Sequence, residues 1–211
     1  MYTTLIDGYS LVGQIDKARK LFDSMPGRGL KPSIISYNSL INGYCKKGRV
    51  EEAWCLFLEV PGKGLNYDVV SYNTMLQGLL RAGRCADGLK LFEHMQTQQL
   101  IPNLVTYRIL LNGLCMNKQI AEAFSFLHIM EEQGVNPDII TYTILIHGLC
   151  KGGKVEIARD VFNSLPRKGL LKRKLLVEAK TYLDEMYRRG FSPDATSASM
   201  LLDHLQDECL R

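Results

Sequence analysis

Tyrosine returns every 35 residues along this 211-residue chain, at Tyr2, Tyr37, Tyr72, Tyr107 and Tyr142. Glycine keeps the same interval at Gly8, Gly43, Gly78, Gly113 and Gly148. Other registers run in phase: Gly29, Gly64, Gly134 and Gly169; Ala18, Ala53, Ala123 and Ala158; Phe22, Phe57, Phe92 and Phe162. Registers held together over five copies mark an array, whose units bury their apolar faces only against their neighbours.

With Ile34 as the first residue of a repeat, the complete copies are 34–68, 69–103, 104–138 and 139–173, after a truncated copy at 1–33. Each opens with an aliphatic pair, a Ser or Thr, then Tyr: Ile34-Ile35-Ser36-Tyr37, Val69-Val70-Ser71-Tyr72, Leu104-Val105-Thr106-Tyr107 and Ile139-Ile140-Thr141-Tyr142. Apolar residues at helical spacing follow, as in Tyr37, Leu40, Ile41 and Tyr44. Lys47-Gly48 breaks that helix, since glycine readily takes the left-handed conformation beyond a helix end. A second stripe of Ala53, Leu56, Phe57 and Val60 predicts another helix from about Val50 to near Gly64. Pro102-Asn103 and Pro137-Asp138 then mark boundaries that no helix crosses. The pattern predicts an all-α fold, a right-handed α-solenoid of 35-residue helix–turn–helix repeats forming one domain. A glycine inside every first helix costs roughly 1 kcal/mol against alanine, so its recurrence predicts close approach between adjacent first helices.

The period fails after residue 173. Residues 174–194 read as a remnant lacking its first helix, and 195–211 as a terminal partial repeat with Ser199 in its fifth slot. The basic run Arg167-Lys168-Gly169-Leu170-Leu171-Lys172-Arg173-Lys174 falls at this junction and reads as a reshaped connection. Met1 stands where Ser36 and Ser71 stand in later copies, so the register starts inside a first helix, with no opening pair and no Arg- and Ser-rich targeting leader.

Composition narrows the function classes. Charged residues at 23% and apolar residues at 46% fit neither a disordered tail nor a membrane protein, and no apolar stretch approaches the roughly 20 residues of a span. The net charge of +4 suits a polyanionic partner without requiring one. Cys45, Cys55, Cys85, Cys115, Cys150 and Cys209 form no C-x-x-C pair and no disulfide or zinc spacing, which points to a reducing compartment. Cys45, Cys115 and Cys150 share one slot with Ser10 and Leu80, a small core position rather than a metal site. Trp54 reads as packing. His94, His128, His147 and His204 are scattered over different slots. No H-x-E with a later C-x-x-C, Ser-His-Asp or P-loop spacing is present. The chain reads as non-enzymatic, with no cofactor and no metal.

The runs IISYNSLINGYCKKGRVEEAWCLFLEVPGKGLNYD and IITYTILIHGLCKGGKVEIARDVFNSLPRKGL resemble the pentatricopeptide repeat, and the uniform length resembles its P subclass. Their wording is similar to the plant restorer-of-fertility-like group. The tetratricopeptide repeat, with 34 residues and a W-x2-L-G-x2-Y opening, does not fit. The resemblance implies sequence-specific binding of single-stranded RNA, one base per repeat. It places Ile35, Val70, Val105 and Ile140 against base faces. It also sets the fifth residue of each repeat at a base edge with the last residue supporting it: Asn38 with Asp68, Asn73 with Asn103, Arg108 with Asp138, Thr143 with Arg173, and Thr3 with Ser33. Asn with Asp then favours U, and Asn with Asn favours C or U. Arg108 and Arg173 depart from the pattern. Lys46, Arg81 and Lys151 take a slot for phosphate contact that Met116 interrupts.

The resemblance further implies an organellar transcript as partner, in the mitochondrion ahead of the plastid, with room for a protein partner in RNA processing. A protein-binding α-solenoid is the rival reading, and a degenerate fragment of a longer protein a third. A peptide groove would vary freely in the edge slots. Here three of the four complete repeats carry Asn or Thr in the fifth slot and three end in Asp or Asn, which favours RNA.

Overall fold

The computed structural model describes residues 2–165. Ten α-helices occupy them: α1 (Tyr2–Leu11), α2 (Ile15–Asp23), α3 (Ile34–Lys46), α4 (Val50–Gly62), α5 (Val69–Arg81), α6 (Cys85–Thr97), α7 (Leu104–Met116), α8 (Ile120–Glu132), α9 (Ile139–Lys151) and α10 (Val155–Ser164). No strand occurs among the described residues. The first helices of the complete repeats begin at Ile34, Val69, Leu104 and Ile139, the first residue of each repeat. The expectations for Arg173, the basic run 167–174, the remnant 174–194 and the terminal 195–211 with Ser199 lie outside the described residues.

Each first helix ends in the same way. The residue after its C-cap takes a left-handed φ, 73° at both Gly13 and Gly48 and 78° at Gly83. The next amide reaches back to close the last turn, as Arg49 N–H does to the Tyr44 carbonyl at 3.0 Å. Lys118 holds this place at φ 63°, and Gln99 holds at 59° the corresponding place beyond a second helix. Those two positions carry a side chain where every other copy uses glycine.

The chain forms two compact units whose boundary falls within α7, after Gly113. In the first, α1 packs on α3 and α3 on α5, while each of these first helices also packs on its own second helix. The tyrosine and phenylalanine registers meet here. Phe22 lies edge-on to Tyr37 at 4.9 Å, Phe57 to Tyr72 at 5.6 Å, and Phe92 to Tyr107 at 6.0 Å. A phenylalanine from one repeat's second helix thus wedges against the tyrosine opening the next, and all three tyrosines are buried.

The glycine register has its own partner. A Cβ on Gly43 would stand 2.8 Å from the Ser10 Cβ and 2.6 Å from Ile15 Cδ1, one on Gly78 would overlap the Cys45 side chain, and one on Gly113 would meet Leu80 Cβ at 2.5 Å. The close approach therefore sets a side chain of one first helix into the hole left by glycine on the next. Gly8 has nothing within 4 Å of that position. The Ser10, Cys45 and Leu80 slot is this knob. Where it enlarges to Leu80, the alanine register of the second helices shrinks to Gly88, whose added Cβ would lie 3.1 Å from Leu80 Cδ2.

Pro61 lies inside the last turn of α4 and has no amide hydrogen for the Phe57 carbonyl. The Tyr67 hydroxyl donates to that carbonyl at 2.7 Å instead. The Tyr67 ring stacks on Phe57 at 4.2 Å, and burial pushes its hydroxyl pKa up to about 12. Trp54, read as packing, also stacks on Phe57, at 5.6 Å.

In the second unit α8 and α10 each pack against α9. The glycine device recurs: a Cβ on Gly148 would overlap the Cys115 side chain. Burial pushes the Cys45 thiol up to about 12 and that of Cys115 up to about 11, as fits apolar core positions. Among the described residues no three His, Cys, Asp or Glu side chains converge on a metal-sized site. No described helix is long and apolar enough to cross a membrane.

Candidate nucleic-acid interface

Positions i, i+3, i+7 and i+11 share one face of a helix. On α3 these are Ile35, Asn38, Asn42 and Lys46; on α5, Val70, Asn73, Gln77 and Arg81; on α7, Val105, Arg108, Asn112 and Met116. On α9 of the second unit they are Ile140, Thr143, His147 and Lys151. The second member of each opening pair is turned to water: Ile35 is 63% exposed, Val70 58%, Val105 50% and Ile140 41%. Their preceding partners Ile34, Val69, Leu104 and Ile139 are half-buried. Single exposed aliphatics are ordinary. A file of three on successive first helices of one unit is a surface for flat apolar groups.

Beside the file lie the edge slots. Asp68 is the N-cap of α5, its Oδ1 accepting from Ser71 N–H and Ser71 Oγ, each at 2.7 Å. The same Oδ1 accepts from Asn38 Nδ2 at 3.3 Å, so the carboxylate holds the next helix and the previous repeat's amide together. Ser33, Asn103 and Asp138 cap in the same way, accepting from the amides of Ser36 at 3.4 Å, Thr106 at 3.1 Å and Thr141 at 3.0 Å. Thr3 Oγ1 and Ser36 Oγ lie 3.0 Å apart, and Ser36 Oγ lies 3.3 Å from Ser33 Oγ, which relays the truncated first pair through a third hydroxyl.

Asn38 and Asn73 do not stand out into solvent: they are 7% and 9% exposed, and the Oδ1 atoms of both are buried with no hydrogen-bond partner. Arg108 and Thr143 are half-buried. The Thr143 hydroxyl donates to the Ile139 carbonyl at 2.8 Å, so what it offers outward is its acceptor lone pairs. Lys46, Arg81 and Lys151 are exposed as the last residues of α3, α5 and α9, and no described ion pair uses them. Met116, in their slot on α7, is 56% exposed.

Sequence reasoning missed that the last residue of each repeat is first of all a helix cap. The signal was present: Ser33, Asp68, Asn103 and Asp138 each precede a Ser or Thr by three residues, a variant of the capping box. It also missed a ladder on the second helices. Arg49 bridges Asp16 and Glu52, both at 2.8 Å, and lies 4.8 Å over the Tyr44 ring; Arg84 bridges Glu51 and Asp87, both at 2.7 Å. The two carboxylates hold the Arg49 guanidinium pKa above its usual value, and the Arg49 bond lowers that of Glu52.

The PPR repeat family model matches residues 1–43, 67–116 and 110–151, and further PPR repeat models match 28–59 and 140–170. This chain belongs to the PPR repeat family. Among solved structures this PPR chain is similar to the pentatricopeptide repeat protein PPR10 in complex with an 18-nt psaJ RNA element, at 28% identity over 78% of the chain with a TM-score of 0.72. PPR10 from maize aligns over 97% of the chain at 23% identity and a TM-score of 0.73. The PPR domain of Arabidopsis thaliana protein-only RNase P 1, in complex with tRNA, shares the fold at 15% identity and a TM-score of 0.64, covering 86% of this chain and 96% of that domain. The fold is thus the all-α solenoid of PPR proteins. The chain spans 24% and 30% of the length of the two PPR10 structures. No curated protein matches it.

Proposed function

We propose that this PPR chain binds single-stranded RNA through the outward face of its first helices, one base per repeat, with sequence preference and without catalysis. The observation that carries this is the pair of buried, unpartnered carbonyl oxygens on Asn38 and Asn73, set beside the exposed Ile35 and Val70. A buried polar atom left unpaired costs roughly 1–3 kcal/mol. A base seated on the aliphatic file brings an edge with donors and acceptors to that place, given a small movement of the amide. The complex of the similar PPR10 with an RNA element supports the same reading.

Asn38 held by Asp68 then favours U, and Asn73 followed by Asn103 favours C or U, read 5′ to 3′ along the chain. Lys46, Arg81 and Lys151 meet phosphates. The finer identity we infer is a P-class, restorer-of-fertility-like plant protein, mitochondrial ahead of plastid, acting on an organellar transcript in processing, stability or translation and working with a protein partner. Few repeats carry unambiguous pairs, so binding by this chain alone is expected to be micromolar or weaker and strongly salt-dependent through counterion release.

The test is a titration with single-stranded RNA carrying U-C or U-U in the matched positions, against the same strand in a duplex. Binding of the single strand alone is expected. Equal affinity for both at one salt concentration refutes the reading, and so does a selection in which Asn38→Thr leaves the U preference intact.

A further inference from the structure

We propose that Asn42, Gln77 and Asn112 form a row that recognises the ribose 2′-hydroxyl and gives the surface its choice of RNA over DNA. The inference rests on the RNA reading above and adds contacts that reading leaves out.

The placement comes from helix geometry. Asn42 lies four residues beyond Asn38 and four before Lys46, about 6 Å along the axis from each. Gln77 stands in the same relation to Asn73 and Arg81. Along α3 and α5 the outward face therefore runs aliphatic, edge amide, second amide, cation. A nucleotide whose base edge meets the edge amide and whose phosphate meets the cation has its sugar between the two. The slot between edge and cation is the one the sugar passes.

The chemistry fits that slot. A 2′-hydroxyl both donates and accepts, and it is the group that tells RNA from DNA. A carboxamide carries both functions on one side chain without charge. Three successive repeats place a carboxamide here, whereas the outward faces of the second helices are mostly charged. Asn42 is half-buried, Gln77 and Asn112 are exposed, and none of the three enters a described hydrogen bond. The same slot of the truncated repeat holds Asp7, which accepts but does not donate and repels phosphate, so the row begins at Asn42. Its third member matters for a separate reason: on α7 the cation slot holds Met116, and Asn112 is the last polar group on that face.

The experiment uses the full chain and two oligonucleotides of one matched sequence, RNA and DNA, each titrated at one salt concentration against wild type and the variant Asn42→Ala/Gln77→Ala/Asn112→Ala. Wild type is expected to favour RNA by about tenfold, the product of a few-fold from each net hydrogen bond. The variant should lose that preference through RNA affinity alone, with DNA affinity changed less than twofold. Alanine is the better helix former at all three places, so a thermal melt should show the variant folded. A variant that keeps the wild-type RNA-to-DNA ratio overturns the inference and leaves the RNA reading standing, as does a wild type indifferent to the sugar. Wild type that binds no single-stranded RNA removes both.

Discussion

The outward faces of the first and second helices are both polar, and they treat their polar groups in opposite ways. On the second helices Arg49 and Arg84 each bridge two carboxylates, one of them on the preceding repeat. Their charges are spent on one another. On the first helices Lys46 and Arg81 enter no described ion pair, Asn38 and Asn73 keep unpartnered carbonyls, and Ile35 and Val70 stay in water. A face whose groups satisfy each other holds neighbours together. A face left unsatisfied and apolar in register is where a ligand recovers free energy.

The largest effect should come from charging the apolar file. Ile35→Asp, Val70→Asp and Val105→Asp together remove the platform and set carboxylates beside phosphates. Stacking contributes roughly 1–3 kcal/mol per base, so single-stranded RNA affinity should fall at least about 100-fold. These side chains are half to two-thirds exposed, so the thermal midpoint should barely move. Arg49→Gln with Arg84→Gln should leave RNA affinity within about twofold. If a binding titration finds the effects of the triple and the double variant reversed, the ligand face has been assigned to the wrong helices.

A second experiment turns from the outer to the inner side of the first helices. Gly78→Ala forces a methyl into Cys45, and overpacking of this kind costs roughly 1–3 kcal/mol, against about 1 kcal/mol regained in helix propensity. A net loss of up to about 2 kcal/mol is expected in denaturant melts. Gly8→Ala meets open space and should gain up to about 1 kcal/mol. Equal effects at the two sites would mean that the register serves helix propensity and not the interhelical hole.

That pair also marks how far the sequence speaks. The helix starts were legible because the opening pair, the tyrosine and the boundary proline are local signals repeated in phase. Gly43, Gly78 and Gly113 were legible as a packing device, but not their partners, because Ser10, Cys45 and Leu80 lie a repeat away. Gly88 is intelligible only through Leu80, which fills the space an alanine methyl takes elsewhere. In the candidate site the aliphatic file came from the family resemblance, because an opening aliphatic pair does not by itself say which member faces water. The burial of Asn38 and Asn73 was not legible; the Asn38 amide sinks toward a carboxylate 30 residues away. The Arg49–Asp16 and Arg84–Glu51 bridges span 33 residues and left the same blank.

Smaller again are two turn positions, Gln99 and Lys118, which hold φ values of 59° and 63° where the other repeats use glycine. A left-handed residue with a side chain costs roughly 1–2 kcal/mol, partly offset by the freedom glycine gives the unfolded chain. Gln99→Gly and Lys118→Gly should each stabilise by up to about 1 kcal/mol. Calorimetric midpoints that fall in both variants would show that these side chains make contacts worth more than the strain.

The smallest expected effect tests the other half of the comparison. Arg84 is the inner end of the ladder, 31% exposed, while its partners Glu51 and Asp87 are 77% and 41% exposed. Exposed pairs of this kind contribute below about 1 kcal/mol, because water already solvates both ions and two long side chains must be held still. Arg84→Gln should therefore lower stability by a few tenths of a kcal/mol at low salt. The difference should vanish near 1 M salt, where the screening length is about 3 Å. A double-mutant cycle with Glu51→Gln isolates the bridge between repeats from the bridge within one, since Asp87 lies on α6, which Arg84 caps, and Glu51 does not. A coupling that survives high salt would mean the ladder acts as packed structure, its guanidinium stem contributing by burial, and the contrast between a self-satisfied face and a ligand face would then rest on the apolar file alone.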